Sequence, residues 1–581
     1  MRIIEVIQQL LPAGTDAAYL VEPPTREALN RPGGPRASVP SYSLCPIWPP
    51  DLFAVVGTII DRSGCYTEAS PDRNDLPGHQ LYLTTITALA KAWGLSMLDV
   101  PPEVQQLWTT LLSECGTLPL AEVTTHPVAV RVLLQLFAIA DEACSGMGWD
   151  STVSAAGREF ARYVLFNATD PTLLGDFPSL PYWPNSLCGM ISPDHVVVLP
   201  KSITTSKGCT IRSLSHHLAL LPCRTMLEPE WLLSSRRADT VDRDELRLLL
   251  VPFPFDIPKS SFKLSFPKTH MAGKAYHPAF FKLRPRWLSV GKTGRVDGKT
   301  LAANLIKPLI RRAKRESGGR VPHGIVLPEC ALTPEVANEL VVELAGSGIE
   351  FLITGVLDHD TATGATYNKA LTYVIVNRYR ALVREQNKHH RWRVDLEQAK
   401  SYGLALDNDP DNGQWWEDID VTNRKLPFYA VREDMSMVTL ICEDLARMEP
   451  AMNAIRAVGP NLVVALLMDG PQLGFRWPAR YASVLADEPG CAVLSLTCAA
   501  TVDLSNHRYY KDSGNTSSRT VARWTQAANS GKNLDINLDP DHEGILLTLK
   551  STPKHQTTLD NRGDNEQSRE LSYMSHVSLK I

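Results

Sequence analysis

The chain has 581 residues, of which 44% are hydrophobic and 21% are charged, and its formal net charge is −4 at pH 7. This length exceeds what a single hydrophobic core usually serves, so two domains are expected in a globular protein of ordinary composition. The nearly balanced charge excludes a general attraction to nucleic acid or to anionic membranes.

The cysteines and the apolar segments favour a reducing cytoplasm. Eleven cysteines are scattered along the chain without a C-x-x-C pair, which argues against a zinc ribbon or a disulfide framework. The segment MRIIEVIQQLLPAGTD shows no signal-peptide cleavage pattern. The most apolar run, PVAVRVLLQLFAIA at 127–140, is too short for a membrane span and contains Arg131. We therefore expect a cytoplasmic protein without a membrane partner.

Residues 1–240 are predicted to form a mainly helical accessory domain with irregular Pro-rich segments. Residues 1–75 are rich in Pro and Gly and indicate an irregular arm with one short strand, FAVVGTII. Four following segments space their apolar residues by three and four, which predicts helices: HQLYLTTITALAKAWGLSML, EVQQLWTTLLSEC, HPVAVRVLLQLFAIADEAC and AAGREFARYVLFNA. Residues 171–240 return to Pro-interrupted segments such as HVVVLPKSI.

From about residue 243 onward, strands alternate with helices. Apolar runs predict strands at ELRLLLVPFPF, GIVLPE, IEFLITGVL, ALTYVIVN, MSMVTLI, NLVVALL and CAVLSLT. Amphipathic helices are predicted at GKTLAANLIKPLIRRAKRES, TPEVANELVVELAGSG, PAMNAIRAVG and PARYASVLAD. This order predicts a layered α/β domain at 243–550, followed by a polar C-terminal tail at 551–581.

Three ionisable residues follow predicted strands of this domain. Glu329 follows GIVLP, Lys388 lies in REQNKHHRW after ALTYVIVN, and Cys442 follows MSMVTLI. Ligands of α/β sheets gather where strands end, so these three positions are expected to converge on one pocket.

Such a group would have the chemistry of a thiol hydrolase. Glu443 and Asp444 should raise the pKa of the neighbouring Cys442 thiol, whereas an ammonium beside it favours the thiolate. A carboxylate can take the thiol proton and return it to a departing amine. Lys388 and the backbone N–H of Glu443 can stabilise an oxyanion, typically by about 3–4 kcal/mol per donor.

Each residue also has a structural interpretation. A lone cysteine at a strand end is usually a core residue, Glu329 can cap the nearby helix, and Lys388 belongs to a solvated basic run. His216 and His217 in SLSHHLALLP invite a hydrolase or metal-site interpretation, but no acid lies at ligand spacing. The basic stretches IKPLIRRAKRESGGR and KHHRWR fit a solvated helix face better than a nucleic-acid surface.

The segments VLPECAL, YNKALTYVIVN…NKHHRW and LICEDLAR together resemble the motifs of the nitrilase, or carbon–nitrogen hydrolase, superfamily. AVGPNLVVALL and the Trp-Pro-Ala-Arg helix downstream fit the same pattern. The resemblance covers about 243–550 and leaves 1–240 unrecognised. It implies a four-layer-forming α-β-β-α sandwich domain preceded by the mainly helical domain.

The resemblance also implies roles for individual residues. Glu329 would be the general base, Lys388 the oxyanion stabiliser and Cys442 the nucleophile, with no metal and no organic cofactor. Lys369, beside the strand-opening Asn368, is the rival lysine.

A second glutamate is expected between the lysine and the cysteine. Glu417 in QWWEDID is the candidate, with Asp418 as the alternative. Asn368, Trp477 and Arg480 are the expected pocket residues.

The implied reaction is hydrolysis of a non-peptide C–N bond through a thioester, with an amide favoured over a nitrile as the small-molecule substrate. A homodimer or higher homo-oligomer is expected. Two apparent insertions, 258–298 and 389–434, depart from the family pattern and prevent transfer of a substrate. The alternative is a non-catalytic nitrilase-like scaffold or regulated effector, in bacterial antiviral defence, whose N-terminal domain senses a protein or nucleic-acid partner.

Overall fold

The structure is a computed structural model, and parts of the chain lie outside its description. It describes residues 1–11, 42, 44–95, 99–149, 182–183, 186–202, 208–223, 227–233, 244–265, 279–290, 294–404, 406, 414–432, 435–511, 519–526, 533–563 and 568–581. The predicted helix AAGREFARYVLFNA, at 155–168, lies outside the described residues. No helix in the described ranges combines the length and apolar character needed to cross a membrane.

The N-terminal region is helical, as expected. Its helices are α1 (Ile3–Leu10), α2 (Pro49–Ser63), α3 (Leu76–Leu95), α4 (Pro102–Cys115) and α5 (Pro127–Ala143). Helix α5 packs against α2, α3 and α4, and its Phe137 ring stacks on Phe53 with centroids 4.4 Å apart. The long apolar run of α5 is thus the centre of a helical core.

The predicted strand FAVVGTII is wrong, because these residues form the middle of α2. Two prolines occupy the first helical positions, and Gly64 ends the helix in the left-handed conformation with φ 74°. Every residue from Pro49 to Ile60 is buried. An all-apolar buried helix lacks the polar face that distinguishes it from a buried strand in sequence.

The strands fall into two large sheets and three small ones. In chain order they are β1 (Tyr182–Trp183), β2 (Val196–Pro200), β3 (Leu218–Pro222), β4 (Glu228–Leu233), β5 (Glu245–Leu250), β6 (Phe262–Ser265), β7 (Ala279–Leu283), β8 (Ser289–Val290), β9 (Gly294–Arg295), β10 (Gly324–Val326), β11 (Phe351–His359), β12 (Thr366–Asn377), β13 (Arg380–Asn387), β14 (Arg393–Asp395), β15 (Gln414–Glu417), β16 (Lys425–Arg432), β17 (Met435–Ile441), β18 (Leu462–Leu466), β19 (Ala492–Leu496), β20 (Thr520–Thr525), β21 (Leu534–Asn537), β22 (Gly544–Lys554) and β23 (Ser568–Leu579). One large sheet has the order β1-β4-β16-β17-β18-β19-β20-β21, and the other has the order β13-β12-β11-β10-β5-β22-β23.

The helices of the second region cover the outer faces of these sheets. They are α6 (Gly298–Leu301), continued by a π-helical turn (Ala302–Ile306) into α7 (Lys307–Glu316), then α8 (Pro334–Leu344), α9 (Leu396–Ser401), α10 (Ala451–Val458), α11 (Trp477–Asp487) and α12 (Ala499–Lys511). Helices α6, α7 and α8 share one core with the seven-stranded sheet, whereas α10 and α11 pack on the eight-stranded sheet.

The inner faces of the two large sheets pack together through residues such as Leu248, Val326, Tyr429 and Met437. The layers therefore follow the order α-β-β-α. This mixed α/β architecture confirms the expected fold class.

Both ends of the chain extend these sheets beyond the expected 243–550 limits. Strand β4, from the region predicted as accessory, pairs in parallel with β16 at the edge of the eight-stranded sheet. Strand β23, in the segment predicted as a polar tail, pairs along its length with β22. Leu571 and Leu579 are buried on opposite faces of the sheet, but most other residues of the strand are polar, which hides it in a composition-based prediction.

The two apparent insertions meet in one small four-stranded sheet of order β14-β15-β7-β6. Strand β7 of the first insertion pairs in parallel with β15 of the second. This small sheet packs on Cys330, Met468 and Cys498, which follow strands of the large sheets. The insertions thus cover one edge of the sandwich, where the candidate site lies.

Candidate active site

Glu329, Lys388 and Cys442 each lie just beyond a strand. Glu329 follows β10, Lys388 directly follows β13, and Cys442 directly follows β17. The expected strand before Lys388 is in fact a hairpin, since β12 is followed by β13 with a two-residue turn. Cys442 has φ 45°, a left-handed conformation that only its surroundings can hold in place.

The ammonium of Lys388 joins two carboxylates. Its Nζ donates to Glu329 Oε1 and to Glu417 Oε2, at 2.8 Å in each case. The Asn368 Nδ2 donates to Glu329 Oε1 at 2.8 Å and to Glu417 Oε1 at 2.9 Å. The backbone N–H of Trp392 donates to Glu417 Oε2 at 3.0 Å. The predicted second glutamate therefore shares its partners with Glu329.

This group is sealed from water. Lys388, Asn368, Glu329, Glu417 and Cys442 are each at most 4% exposed. The Glu329 Oε2 atom accepts no hydrogen bond from the described residues. One oxygen of this carboxylate is thus free to take a proton.

The charges of the group shift the pKa of each member. Burial raises the pKa of the Cys442 thiol well above its ordinary value, and the Glu329 charge raises it further while Lys388 lowers it. Burial also raises the pKa of Glu329, against the opposing effect of Lys388. Burial favours the neutral amine of Lys388, but the charges of Glu329 and Glu417 outweigh it and raise the Lys388 pKa. At neutral pH the resting group is therefore a protonated thiol beside an ammonium.

The two acids after Cys442 bind other partners. Asp444 accepts the backbone N–H of His389 at 3.1 Å and contacts His390 Nδ1 at 3.0 Å, which fixes the segment that carries Lys388. Glu443 accepts from Arg447 at 2.8 Å. Asp444 thus positions the lysine segment, while the Glu443 charge still raises the pKa of Cys442.

Lys369 and Asp418, the residues predicted as alternatives to Lys388 and Glu417, have other partners. Lys369 binds Asp358 and Glu385, at 2.7 and 2.8 Å. Asp418 accepts from Ser265 and lies 3.4 Å from Lys282.

Two expected pocket residues, Trp477 and Arg480, lie on α11 and are more exposed than the buried group. Arg480 is exposed on α11, because Pro478, Ala479 and Ala482 form the inward face of that helix. Trp477 is partly exposed, with its ring centroid 6.4 Å from that of Tyr481.

Three residues that the sequence left unnoticed form a second polar group near the thiol. Asp469 Oδ1 accepts from the Tyr402 hydroxyl and from an Arg476 guanidinium nitrogen, at 2.8 Å in each case. Asp469 also raises the pKa of Cys442. Asp469 and Arg476 follow β18, but Tyr402 belongs to an insertion, so no local pattern links the three.

Among the described residues, two clusters have atoms spaced for a metal. The ligand atoms of Glu329, Cys330 and Glu417 lie within 4.8 Å of one another, but the Lys388 ammonium already binds both carboxylates. In the second cluster, Glu142 lies with His216 and His217 and is the acid that the sequence around the two histidines lacks.

Arg562 donates to Glu142 at 2.6 Å, so a cation also occupies the second cluster. In each cluster a protein cation, Lys388 or Arg562, therefore pairs with the carboxylates that would otherwise bind a metal ion.

No family model and no curated protein sequence matches the chain. It is similar to solved structures, among them Nit3 of Saccharomyces cerevisiae, a member of branch 10 of the nitrilase superfamily. That likeness has 13% identity, covers 58% of this chain and 90% of Nit3, and has a TM-score of 0.26.

A nitrilase-superfamily amidase from Nesterenkonia AN1 has 12% identity over 54% of this chain and 93% of its own, with a TM-score of 0.29. A glutamine-dependent NAD(+) synthetase from Cytophaga hutchinsonii has 13% identity over 52% of this chain and 42% of its own, with a TM-score of 0.27. At these values the likenesses carry no argument about activity.

Proposed function

We propose that the chain is a carbon–nitrogen hydrolase that cleaves a non-peptide amide with Cys442 as nucleophile. The observation that carries this proposal is the Lys388 ammonium held between Glu329 and Glu417 beside a buried thiol. A carboxylate oxygen without a partner, a fixed cation and a thiol are the parts that nucleophilic acyl transfer requires.

The first half of the proposed reaction forms a thioester. Glu329 takes the Cys442 proton as the sulfur attacks the amide carbon. Lys388 and the backbone N–H of Glu443 stabilise the oxyanion of the tetrahedral intermediate. Glu329 then gives its proton to the departing nitrogen, the C–N bond breaks, and ammonia or an amine leaves.

The second half releases the acid. Glu329 takes a proton from water, the resulting hydroxide oxygen attacks the thioester carbon, and the C–S bond breaks. The proton on Glu329 returns to the sulfur, which restores the thiol. In both halves Glu417 and Asn368 hold Lys388 and Glu329 in place and do not exchange protons.

Acyl transfer to hydroxylamine tests this function. A panel of small primary amides, including glutamine, is incubated with the protein and hydroxylamine, and hydroxamate formation is measured. We expect Cys442→Ala to abolish it and Cys498→Ala, a buried thiol bonded to Thr501, to retain it. No hydroxamate from any amide, or equal activity in Cys442→Ala, would overturn the proposal.

We also propose a homodimer formed through the exposed apolar side of α11. Tyr481 and Val484 lie one turn apart on this helix, and Phe475 is exposed just before its start. Helix α11 packs on the turn that begins at Cys442, so this surface is continuous with the active-site elements. A second copy of the same surface is the proposed partner, because exposed apolar patches of this kind mark association sites.

A cytoplasmic location stays a prediction, supported by eleven cysteines that form no disulfide with one another in the described structure. A protein or nucleic-acid partner of residues 1–240 also stays a prediction.

A further inference from the structure

One carboxylate oxygen of Asp469 accepts hydrogen bonds, and the other accepts none from the described residues. Its Oδ1 accepts two hydrogen bonds, from Tyr402 and Arg476, whereas its Oδ2 is buried and accepts none from the described residues. The residue is 6% exposed, so water does not readily solvate this oxygen. A buried acceptor without a donor is costly, and a ligand that supplies the donor gains that free energy.

The chain places this oxygen at the same sheet edge as the nucleophile. Strands β17 and β18 run in parallel with Ile441 paired to Leu466. Cys442 directly follows the first strand, and Asp469 comes three residues after the second. Both therefore emerge at the carboxyl ends of neighbouring parallel strands, where ligands of such sheets bind.

The charges near the thiol favour a cation as the missing donor. Glu329, Glu443 and Asp469 each raise the pKa of this thiol, whereas Lys388 lowers it. Carboxylates thus outnumber cations among these groups. A protonated amine would supply the missing donor and a compensating positive charge.

The insertion that carries Tyr402 holds Asp469 in a fixed position. The Tyr402 hydroxyl donates to Asp469 and accepts the backbone N–H of Gly470 at 2.9 Å. The Tyr402 ring also packs edge-on against Trp392, whose backbone N–H donates to Glu417 Oε2. One inserted segment thus contacts both Asp469, through its Oδ1, and Glu417 of the catalytic group.

We propose that Asp469 Oδ2 binds a protonated amino group of the substrate, so that the preferred substrates are amides carrying an ammonium close to the scissile bond. The assignment rests on the proposed hydrolase function and names the substrate class for that site.

The first test measures charge preference at the thiol without turnover. The full chain is treated with 2-aminoethyl methanethiosulfonate, which is cationic, or with the neutral methyl methanethiosulfonate. The modification rates of Cys442 and of the exposed Cys209 are followed by peptide mass spectrometry. We expect the cationic-to-neutral rate ratio to be roughly tenfold or more higher at Cys442 than at Cys209.

Asp469→Asn should remove this preference, and Asp503→Asn, at an ion pair with Arg519, should retain it. Equal ratios at Cys442 and Cys209 in the unsubstituted chain overturn the proposal, whether or not Asp469→Asn folds. Failure of both reagents to modify Cys442 counts against the nucleophile itself and overturns both proposals.

Matched amides separate the two proposals. Glycinamide, β-alaninamide and 4-aminobutanamide are compared with propanamide, butanamide and pentanamide in the hydroxylamine assay. Hydrolysis of neutral and cationic members at equal rates overturns the ammonium subsite and leaves the hydrolase proposal intact. No hydrolysis of any amide contradicts the hydrolase proposal instead, and the charge ratio at Cys442 still decides the subsite.

Discussion

Gly355 lies directly against the backbone of Glu329: a Cβ atom added to this glycine would come within 2.5 Å of the Glu329 Cα. The glycine is in β11, beside the segment that places Glu329, the proposed general base, and the contact is with backbone that cannot rotate away. Strand β11 and the segment containing Glu329 therefore require a residue without a side chain at this position.

Gly355→Ala should displace Glu329 from Lys388 and lower hydrolysis by at least tenfold, with a stability loss of about 1–3 kcal/mol. Gly544→Ala is the matched control, because it adds the same methyl group to the same sheet against the movable Leu309 side chain. Amide hydrolysis and urea unfolding of both variants check the expectation. Equal losses of activity in the two variants would contradict it.

Lys388→Met should strongly destabilise the fold, because it leaves Glu329 and Glu417 buried together without their cation. Removing one partner of a buried ion pair typically costs about 3–5 kcal/mol. Lys369→Met removes the rival lysine, which binds Asp358 and Glu385 near the surface, and should cost clearly less. Urea unfolding measures the free energy of unfolding of both variants. Equal losses would show that Lys388 contributes no more to stability than Lys369 does.

The pH dependence of thiol alkylation should follow the raised pKa of Cys442. Burial and the Glu329 charge hold this pKa above the ordinary value, so the thiolate fraction and the iodoacetamide rate at Cys442 should rise with pH. The rise should continue through about pH 8.5, the ordinary thiol value, without a plateau.

Glu329→Gln removes a neighbouring negative charge, which should lower the thiol pKa and shift the alkylation curve to lower pH. The same variant should lose hydrolysis, because the proton acceptor is gone. Glu385→Gln, at the exposed ion pair with Lys369, should leave the alkylation curve unchanged. A plateau near pH 7 in the unsubstituted chain would refute the expected thiol state.

The candidate site residues could be named from sequence because each belongs to a local pattern. Glu329, Lys388 and Cys442 follow strand-forming runs, and their neighbours carry recognisable motifs. Glu417 was predicted from its chain position alone, and its carboxylate lies within 2.8 Å of the Lys388 Nζ.

Other features depend on tertiary contacts that no local pattern encodes. Tyr402 and Asp469 are 67 residues apart and meet only because two insertions pair as one small sheet. The apolar run in α2 and the half-polar β23 were mispredicted because burial on all sides, or on alternate residues, overrides local composition.

Arg562 should be essential for joining the C-terminal segment to the N-terminal helices. It is buried and binds Asp141 and Glu142 at the end of α5, as well as Asp560 in its own loop. Arg562→Met should cost about 3–5 kcal/mol of unfolding free energy.

Arg519→Met is the matched control, since it removes an exposed ion pair with Asp503 and should cost about 1 kcal/mol or less. Urea unfolding measures both changes. Similar values would mean that the Arg562 contacts contribute no more than a surface pair.

Val484→Glu should convert the proposed dimer into a monomer. The substitution places a charge on the exposed apolar side of α11 without entering the core, so folding should be preserved. Val342→Glu, on the exposed side of α8, is the control. Sedimentation velocity gives the mass of each variant, and a monomeric unsubstituted chain would overturn the proposed interface.

Glu417 reaches Lys388 from the small inserted sheet and not from either large sheet. The small sheet is therefore a source of the counter-charge of Lys388. A displacement of this sheet would take one carboxylate away from the ammonium, leaving Lys388 with Glu329 alone. The position of the sheet and the electrostatic state of the lysine are thus linked, so a substitution on the outer side of the small sheet can alter the lysine without contacting it.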